Sequence, residues 1–366
     1  MEHAGTNPRY DVSTLPPDAT PPHANDGEGP RPGGPRRVLV TGGSGFIGSH
    51  LVGLLLDRGD AVTVIDNLTT GRRHNLPDRH ERLRFFEADL SDALHALGKG
   101  ETFDQIYHLA AAVGVKLVVE DPITAIETNI ARTIDLLRFA RSRAPGGVPT
   151  PTLVVSSSEV YGKGAKTPFA EDDDVVYGPT TMSRWCYGCS KAVDEYLALA
   201  HAARGLPAVV VRLFNTVGPR QVGEFGMVLP RFVAAALRGE PLEVFGDGRQ
   251  TRCFCDVRDV VAAMPRVLGE PSCRGKVFNL GSDRAITIAD LAALVVRVLG
   301  SRSTIAYVPY ERAYAPGFED LRDRRPDLTR IRSAIGFEPT VPLEQTIRDL
   351  AAEIARAPGA QAGVRG

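Results

Sequence analysis

From Arg37 onward, short β-branched runs alternate with amphipathic stretches, the pattern of βαβ units that build a parallel sheet. Arg37–Thr41 reads as the first strand. The helix after it carries Ile47, Leu51, Leu54 and Leu55 on one face, and Ala61–Ile65 reads as the second strand. Further strands are expected at Leu83–Glu87, Gln105–Leu109, Thr152–Ser156 and Ala208–Leu213, with helices over Pro122–Arg141 and Trp185–Ala203. Past about Thr216 the elements shorten. A helix is expected near Leu229–Leu237, strands near Leu242–Phe245 and Thr251–Cys255, and helices at Asp256–Val267, Ile288–Leu299 and Leu343–Ile354. The pattern predicts an α/β fold, a Rossmann doubly wound parallel sheet over residues 36–215. A smaller C-terminal substrate-binding lobe, mainly 216–356, would lie across the strand ends, where open α/β sheets bind ligands.

Residues 1–35 are dense in Pro, Gly, Asn and Asp and are expected to be disordered, as is the tail 357–366. The 43 Lys and Arg nearly cancel the 44 Asp and Glu, and no basic stripe forms, so charge argues against a nucleic-acid or membrane partner. A small polar metabolite fits better. The odd set of five cysteines, Cys186, Cys189, Cys253, Cys255 and Cys273, suggests thiols in a reducing compartment. Cys186 and Cys189 make a C-x-x-C and Cys253 and Cys255 a C-x-C, which raises zinc. One pair opens a helical pattern and the other alternates like a strand, so no metal is expected. With no apolar leader and no apolar run near the roughly 20 residues of a membrane span, a cytoplasmic location is expected.

The segment Thr41-Gly42-Gly43-Ser44-Gly45-Phe46-Ile47-Gly48 sits between a predicted strand and a predicted helix. Glycines there let the chain turn tightly, bring its amides close to a pyrophosphate and aim a helix N-terminus at the negative charge. Asp66 ends the second strand, where a carboxylate accepts hydrogen bonds from an adenosine ribose and repels a 2′-phosphate, favouring NAD over NADP. Asn67, Thr70 and Gly71, just after it, are assigned to the same cofactor. Arg72 and Arg73 read as solvated loop charges. Asp89 and Leu90, after the third strand, are placed to meet the adenine, although Asp89 also suits a helix N-cap near Ser91. Tyr187 and Lys191 lie four positions apart on a predicted helix and so share a face. Ser156-Ser157-Ser158 ends the strand before them and offers hydroxyls to the tyrosine's proton network.

Thr41–Gly48, His108-Leu109-Ala110-Ala111, Ser157-Ser158-Glu159-Val160-Tyr161-Gly162 and Tyr187-x-x-x-Lys191 together resemble the extended short-chain dehydrogenase/reductase family of nucleotide-sugar enzymes, from Arg37 to about Leu350. The resemblance implies that Tyr187 is the acid/base at the sugar C4 hydroxyl and that Lys191 lowers its pKa while holding the nicotinamide ribose. It also places Leu109, Ala110 and Ala111 at the cofactor. An ammonium near a phenol, whose unperturbed pKa is about 10, favours phenolate.

Three features point within the family to the UDP-glucuronate decarboxylases. Ser158 precedes Glu159 where a 4,6-dehydratase usually has an aspartic acid for the departing 6-hydroxyl, and a simple 4-epimerase usually lacks the acidic residue. Asp323-Arg324-Arg325-Pro326-Asp327 resembles the segment whose arginine meets the sugar carboxylate, and a guanidinium fork suits that group bidentately. Ser183-Arg184-Trp185-Cys186-Tyr187-Gly188-Cys189-Ser190-Lys191 resembles the corresponding decarboxylase stretch. The catalytic set expected from this is Tyr187, Lys191, Glu159, Ser157, Ser158 and Arg324. Ser157 stands where decarboxylases usually have threonine, and a looser pocket could release the 4-keto intermediate before its reduction.

For the substrate's nucleotide end, the resemblance offers Asn215, Leu229, Arg231, Val244, Phe245 and Arg252, with Arg220 weaker and Lys116 after the fourth strand. His108 ends a buried strand and is expected to be structural. A 4-epimerase and a 4,6-dehydratase remain the enzymatic alternatives. A non-catalytic NAD-binding sensor or scaffold is the alternative of another class, and such relatives tend to lose the tyrosine or lysine. The family further implies a homodimer through Pro122–Arg141 and Trp185–Ala203, with apolar positions at Ile126, Ile130, Ile134 and Leu137 and at Val193, Leu197 and Ala200.

Overall fold

The computed structural model describes residues 34–98, 100–111, 121–143, 145–223, 227–313 and 323–356. The expectations for the terminal segments and for Lys116 lie outside these residues. The first part of the chain forms β1 (Arg37–Thr41), α1 (Phe46–Asp57), β2 (Ala61–Asp66), β3 (Leu83–Glu87), α2 (Leu90–Ala96), β4 (Gln105–His108), α3 (Pro122–Ala140), β5 (Thr152–Ser157), α4 (Cys186–Ala203) and β6 (Ala208–Leu213). There follow β7 (Thr216–Val217), α5 (Val228–Arg238), β8 (Leu242–Phe245), β9 (Thr251–Cys253), β10 (Cys255–Asp256), α6 (Val257–Gly269) and β11 (Val277–Leu280). The last elements are β12 (Ala285–Thr287), α7 (Ile288–Leu299), β13 (Ile305–Val308), α8 (Tyr310–Ala313), β14 (Asp323–Arg324), α9 (Thr329–Ile335) and α10 (Leu343–Arg356).

Seven parallel strands make the central sheet in the order β11-β6-β5-β4-β1-β2-β3. Strands buried on both faces need continuous apolar runs, and Val38, Leu39 and Val40 of β1 are all fully buried. One face is covered by α1, α6 and α9, the other by α2, α3 and α4. The strand order reverses between β1 and β4, which opens a crevice at their C-terminal ends. At that crevice Gly42 has φ 71°, and a Cβ there would lie 2.7 Å from the Ala110 amide nitrogen. A Cβ on Gly48 would run into the Gly42 carbonyl oxygen.

The chain after residue 216 is shared between the central sheet and the lobe. β11 pairs with β6, and Val257, Val260, Val261 and Met264 of α6 share a core with Val38 and Leu51. Much of 257–280, and α9, thus returns to the Rossmann layer. A strand as short as Val277–Leu280 carries too few residues to show a period, which is why the sequence pattern passes over it. The lobe has its own core from α5, α7 and α10, with β8 paired to β13 and the small sheet β12-β9-β14 beside it. The expected strand Thr251–Cys255 is interrupted at Phe254 into β9 and β10. Among the described residues no helix is long and apolar enough to cross a membrane.

Candidate active site

A cavity of about 760 Å³ lies over the C-terminal ends of β1, β2, β4, β5 and β6 and reaches the lobe. That size suits a bound cofactor or metabolite. At one end Gly42, Gly45, Phe46, Ile47 and Gly48 line it. The Ser49 amide closes onto the Gly45 carbonyl, so the amides of Phe46, Ile47 and Gly48 have no intrahelical acceptor, as in any first helical turn. Asp66 is 7% exposed. Its Oδ2 accepts from the Ser44 amide at 2.9 Å and its Oδ1 from the Leu68 amide at 2.8 Å, leaving each oxygen further accepting capacity. Asn67 and Thr70 line the cavity, whereas Gly71 sits against the Asp66 carboxylate outside it.

Asp89 caps α2 through the Ser91 amide and also pairs with Arg132 at 2.9 Å, so the capping and cleft readings hold together. Leu90, Leu109, Ala110 and Ala111 complete this end. The glycine cradle, the first-turn amides and the strand-end carboxylate are the donor set a dinucleotide requires, so the residues present fit NAD.

Lys191 is buried. Its ammonium donates to the Val155 carbonyl at 3.1 Å and to Asp194 Oδ2 at 3.2 Å. Tyr187, one helical turn earlier, lines the cavity with Ser157. Burial and then the Glu159 charge push the phenol up, against a hydrogen bond with Ser157 that lowers it. The Lys191 ammonium, which the resemblance expects to lower the phenol, is shared with Asp194 and does not outweigh these effects. The i, i+3 spacing of the pair was the visible signal for that contact. The Ser157 hydroxyl also accepts from the Glu159 amide at 3.2 Å, capping the turn that presents Glu159.

Glu159 lies between two guanidiniums. Arg324 donates to its Oε1 at 2.6 Å, and Arg184 pairs with its Oε2 at 2.7 Å. All three side chains are at most 12% exposed. Burial alone would push the carboxyl up, but the two arginines hold it down at about 2. Arg324 reaches this point from β14, whose residues pair with β9 so that Arg324 stands beside Arg252. The Phe169 amide bonds the Arg325 carbonyl and the Asp327 amide bonds the Phe169 carbonyl, which fixes the following turn. The buried Arg324 Nε has no hydrogen-bond partner among the described residues. Arg184, in the one-turn helix Ser183–Trp185, was not among the expected site residues. A single arginine before a helix carries no periodic signal, and only the fold shows that it faces Glu159. Ser158 is buried and lines the cavity as well.

At the lobe end, Asn215, Leu229, Arg231, Phe245 and Arg252 line the cavity, joined by Arg220, Gln250 and Tyr310. Arg231 lies over the Phe245 ring at 4.3 Å. Val244 does not belong here. It is fully buried in the lobe core with Leu242, while Phe245 turns to the cleft, as strand alternation requires. His108 is fully buried, between the Thr41 hydroxyl at 2.8 Å and the Thr133 hydroxyl at 3.1 Å. Burial and then the Lys191 charge lower it to about 3, which makes it a neutral structural residue. The five cysteines are free thiols, three of them buried. No metal-binding cluster of His, Cys, Asp and Glu occurs among the described residues.

The chain is 39% identical over 317 residues to the UDP-N-acetyl-alpha-D-glucosaminuronate decarboxylase of Bacillus cytotoxicus, covering 86% of this chain and 96% of that protein. It is 37% identical over 310 residues to UDP-glucuronic acid decarboxylase 2 of Arabidopsis thaliana, covering 84% of this chain and 66% of the relative. Among solved structures it resembles the UDP-glucose 4-epimerase of Thermotoga maritima, with a TM-score of 0.78, 29% identity and coverage of 87% and 99% of the two chains. Residues 38–281 match the family described as NAD dependent epimerase/dehydratase. With that match spanning most of the chain, and the cradle for the dinucleotide in place, the chain belongs to the NAD dependent epimerase/dehydratase family.

Proposed function

We propose that this protein is a decarboxylase of UDP-glucuronate that uses NAD within a single turnover. The observation that carries the reading is Arg324, a guanidinium buried in the cavity that already holds one carboxylate, that of Glu159, through Nη1. A buried guanidinium needs an anion, and its planar fork suits a substrate carboxylate bidentately. Ser158, a poor acid, argues against loss of a 6-hydroxyl.

Phe46, Ile47, Gly48 and Asp66 hold the cofactor, which when bound supplies the electron acceptor for the C4 carbinol and then the reductant for the ketone. Tyr187 takes the C4 hydroxyl proton, and Ser157 donates to the phenolate. The resulting ketone is β to the C6 carboxylate, so CO2 leaves as the C5–C6 electron pair flows into an enolate. Arg324 holds the carboxylate and then faces the developing negative charge. Glu159, held ionised, is not the proton donor to C5. It accepts one hydrogen of a water that passes its other proton to C5 and regains a proton from solvent, so that one solvent proton is consumed for each CO2 released. Asn215 and Arg252 meet the diphosphate, and Arg231 and Phe245 flank the base.

CO2 release from UDP-glucuronate by purified protein tests this, with the UDP-pentose and its 4-keto precursor as products. Interconversion of UDP-glucose and UDP-galactose without gas release would overturn it. A measurable 4-keto fraction is expected from the smaller Ser157. A second reading keeps the chemistry and changes the C2 substituent. The relative from Bacillus cytotoxicus, covered over 96% of its length, is named for the 2-acetamido uronate. Competition between the two UDP-uronates decides which is preferred. The protein would assemble as a homodimer through α3 and α4, where Ile123 is 69%, Ile126 37% and Tyr196 69% exposed. Of the positions expected there, Leu137 instead belongs to the core.

A further inference from the structure

Glu159 is held by two cations, Arg184 and Arg324. The two arginines are also held differently. Arg184 sits in the turn that enters α4, with its guanidinium 5.4 Å from the centre of the adjacent Trp185 ring, and it grips Oε2. Arg324 comes from the two-residue strand β14 and grips Oε1 through Nη1. If the carboxylate of the substrate claims Arg324, as the decarboxylase reading requires, a Glu159 with no other cation would be a buried charge beside a second anion. Such a charge is expelled or protonated.

Resting on that reading, we propose that Arg184 is the standing counter-ion and positioning residue of Glu159, which frees Arg324 to exchange Glu159 for the substrate carboxylate. In the free site Glu159 occupies one edge of Arg324 and serves as an internal stand-in for the substrate. With substrate bound, two guanidiniums face two carboxylates and the cluster is neutral. When CO2 departs, the negative charge moves to the enolate oxygen. Glu159, kept anionic by Arg184, stays able to accept from the water that protonates C5. Its two oxygens thereby have separate partners, Oε2 fixed and Oε1 exchangeable.

The ionisation can be read without turnover, by carboxyl-carbon NMR of the full chain labelled at glutamate, with the Glu159 signal assigned by its loss in Glu159→Gln. In Arg324→Gln, which leaves Arg184 as the sole partner, the Glu159 signal should show no protonation down to about pH 4, the ordinary range of a glutamate. Adding Arg184→Gln should move its titration above that range. Protonation of Glu159 at or above that range in Arg324→Gln alone would overturn the proposal, whatever the natural substrate proves to be.

In turnover, Arg184→Gln should lower kcat about tenfold to a hundredfold and shift its acid limb to higher pH, with KM changed less than in Arg324→Gln. Arg184→Lys should restore much of the loss. In a Glu159→Gln background the Arg184→Gln change should add little. A full additional loss there would instead make Arg184 a direct ligand of the substrate. Unchanged NAD content and melting temperature in Arg184→Gln separate positioning from misfolding, and their collapse together with a lysine variant that restores nothing would count against the proposal. Absence of CO2 from wild-type protein would sink the decarboxylase reading but leave the NMR comparison standing.

Discussion

The two ends of the cavity are built in different ways. The cofactor end is made of backbone at Gly42 and the first turn of α1, together with the strand-end carboxylate of Asp66, all within one βαβ passage. The end proposed for the substrate is made of side chains drawn from far apart in the chain, Glu159 after β5, Arg184 before α4, Arg252 on β9 and Arg324 on β14. A cradle of amides depends on a local turn. A cluster of charges depends on the whole fold bringing its members to one point and neutralising them there.

The largest expected effect divides these two ends. Tyr187→Phe should lower turnover by about a thousandfold or more, in the range of a lost general acid/base, while co-purified NAD stays stoichiometric. Loss of NAD in parallel with activity, measured by absorbance of the denatured extract, would show that the two ends are not separable.

The same contrast explains what could be read from sequence. Gly42–Gly48 and Asp66 were legible because strand, turn, helix and strand follow one another without interruption. The pairing of Glu159 with Arg324 spans 165 positions, and no local pattern announces it. The resemblance supplied both residues but not their contact. Arg184 stood in the stretch that resembles the decarboxylases but was given no role, because a lone arginine looks the same whether it is solvated or buried. The sheet was legible up to β6 because each strand alternates with a helix, whereas β11 returns only after the chain has made most of the lobe's first half. The Asp194 partner of Lys191 went unread because the lysine was considered without its neighbour three positions on.

A smaller effect belongs to the cofactor end. Asp66→Asn keeps the side-chain shape but removes one of the two acceptors that hold the Ser44 and Leu68 amides, and with it the charge that accepts ribose hydroxyls and repels a 2′-phosphate. NAD affinity should fall about tenfold to a hundredfold, the range for hydrogen bonds to a charged group, and discrimination against NADP should weaken. Titration calorimetry of the apoprotein with both dinucleotides measures this. An unchanged ratio of the two affinities would remove Asp66 from cofactor choice.

His108 supplies an effect on stability instead of binding. Its folded pKa is lowered from 6.5 to about 3. Between those values the unfolded chain binds a proton that the folded one refuses, so the folded state loses stability as pH falls through the window. The slope from this one group is at most about 1.4 kcal/mol per pH unit. Denaturant melts of His108→Gln should show that much less slope between pH 6 and about 4 than the wild type. Equal slopes would place the proton elsewhere.

The smallest expected effect sharpens the contrast at a single step of chain. Val244 and Phe245 are neighbours on β8, yet one is sealed in the lobe core and the other faces the cleft over Arg231. The expectation that both touch substrate treated them alike, but a strand sends successive side chains to opposite faces. Val244→Ala removes two buried methyl groups and should cost about 1–2 kcal/mol of stability, with KM for the UDP-sugar nearly unchanged. Phe245→Ala should do the reverse, leaving the melting temperature close to wild type and weakening substrate through loss of the ring and of its contact with Arg231. The pair is informative only together, since either change could act indirectly through the short β8–β13 ladder. A raised KM in Val244→Ala at full stability would mean that β8 presents its other face to the ligand, and the nucleotide end of the site would have to be rebuilt from that register.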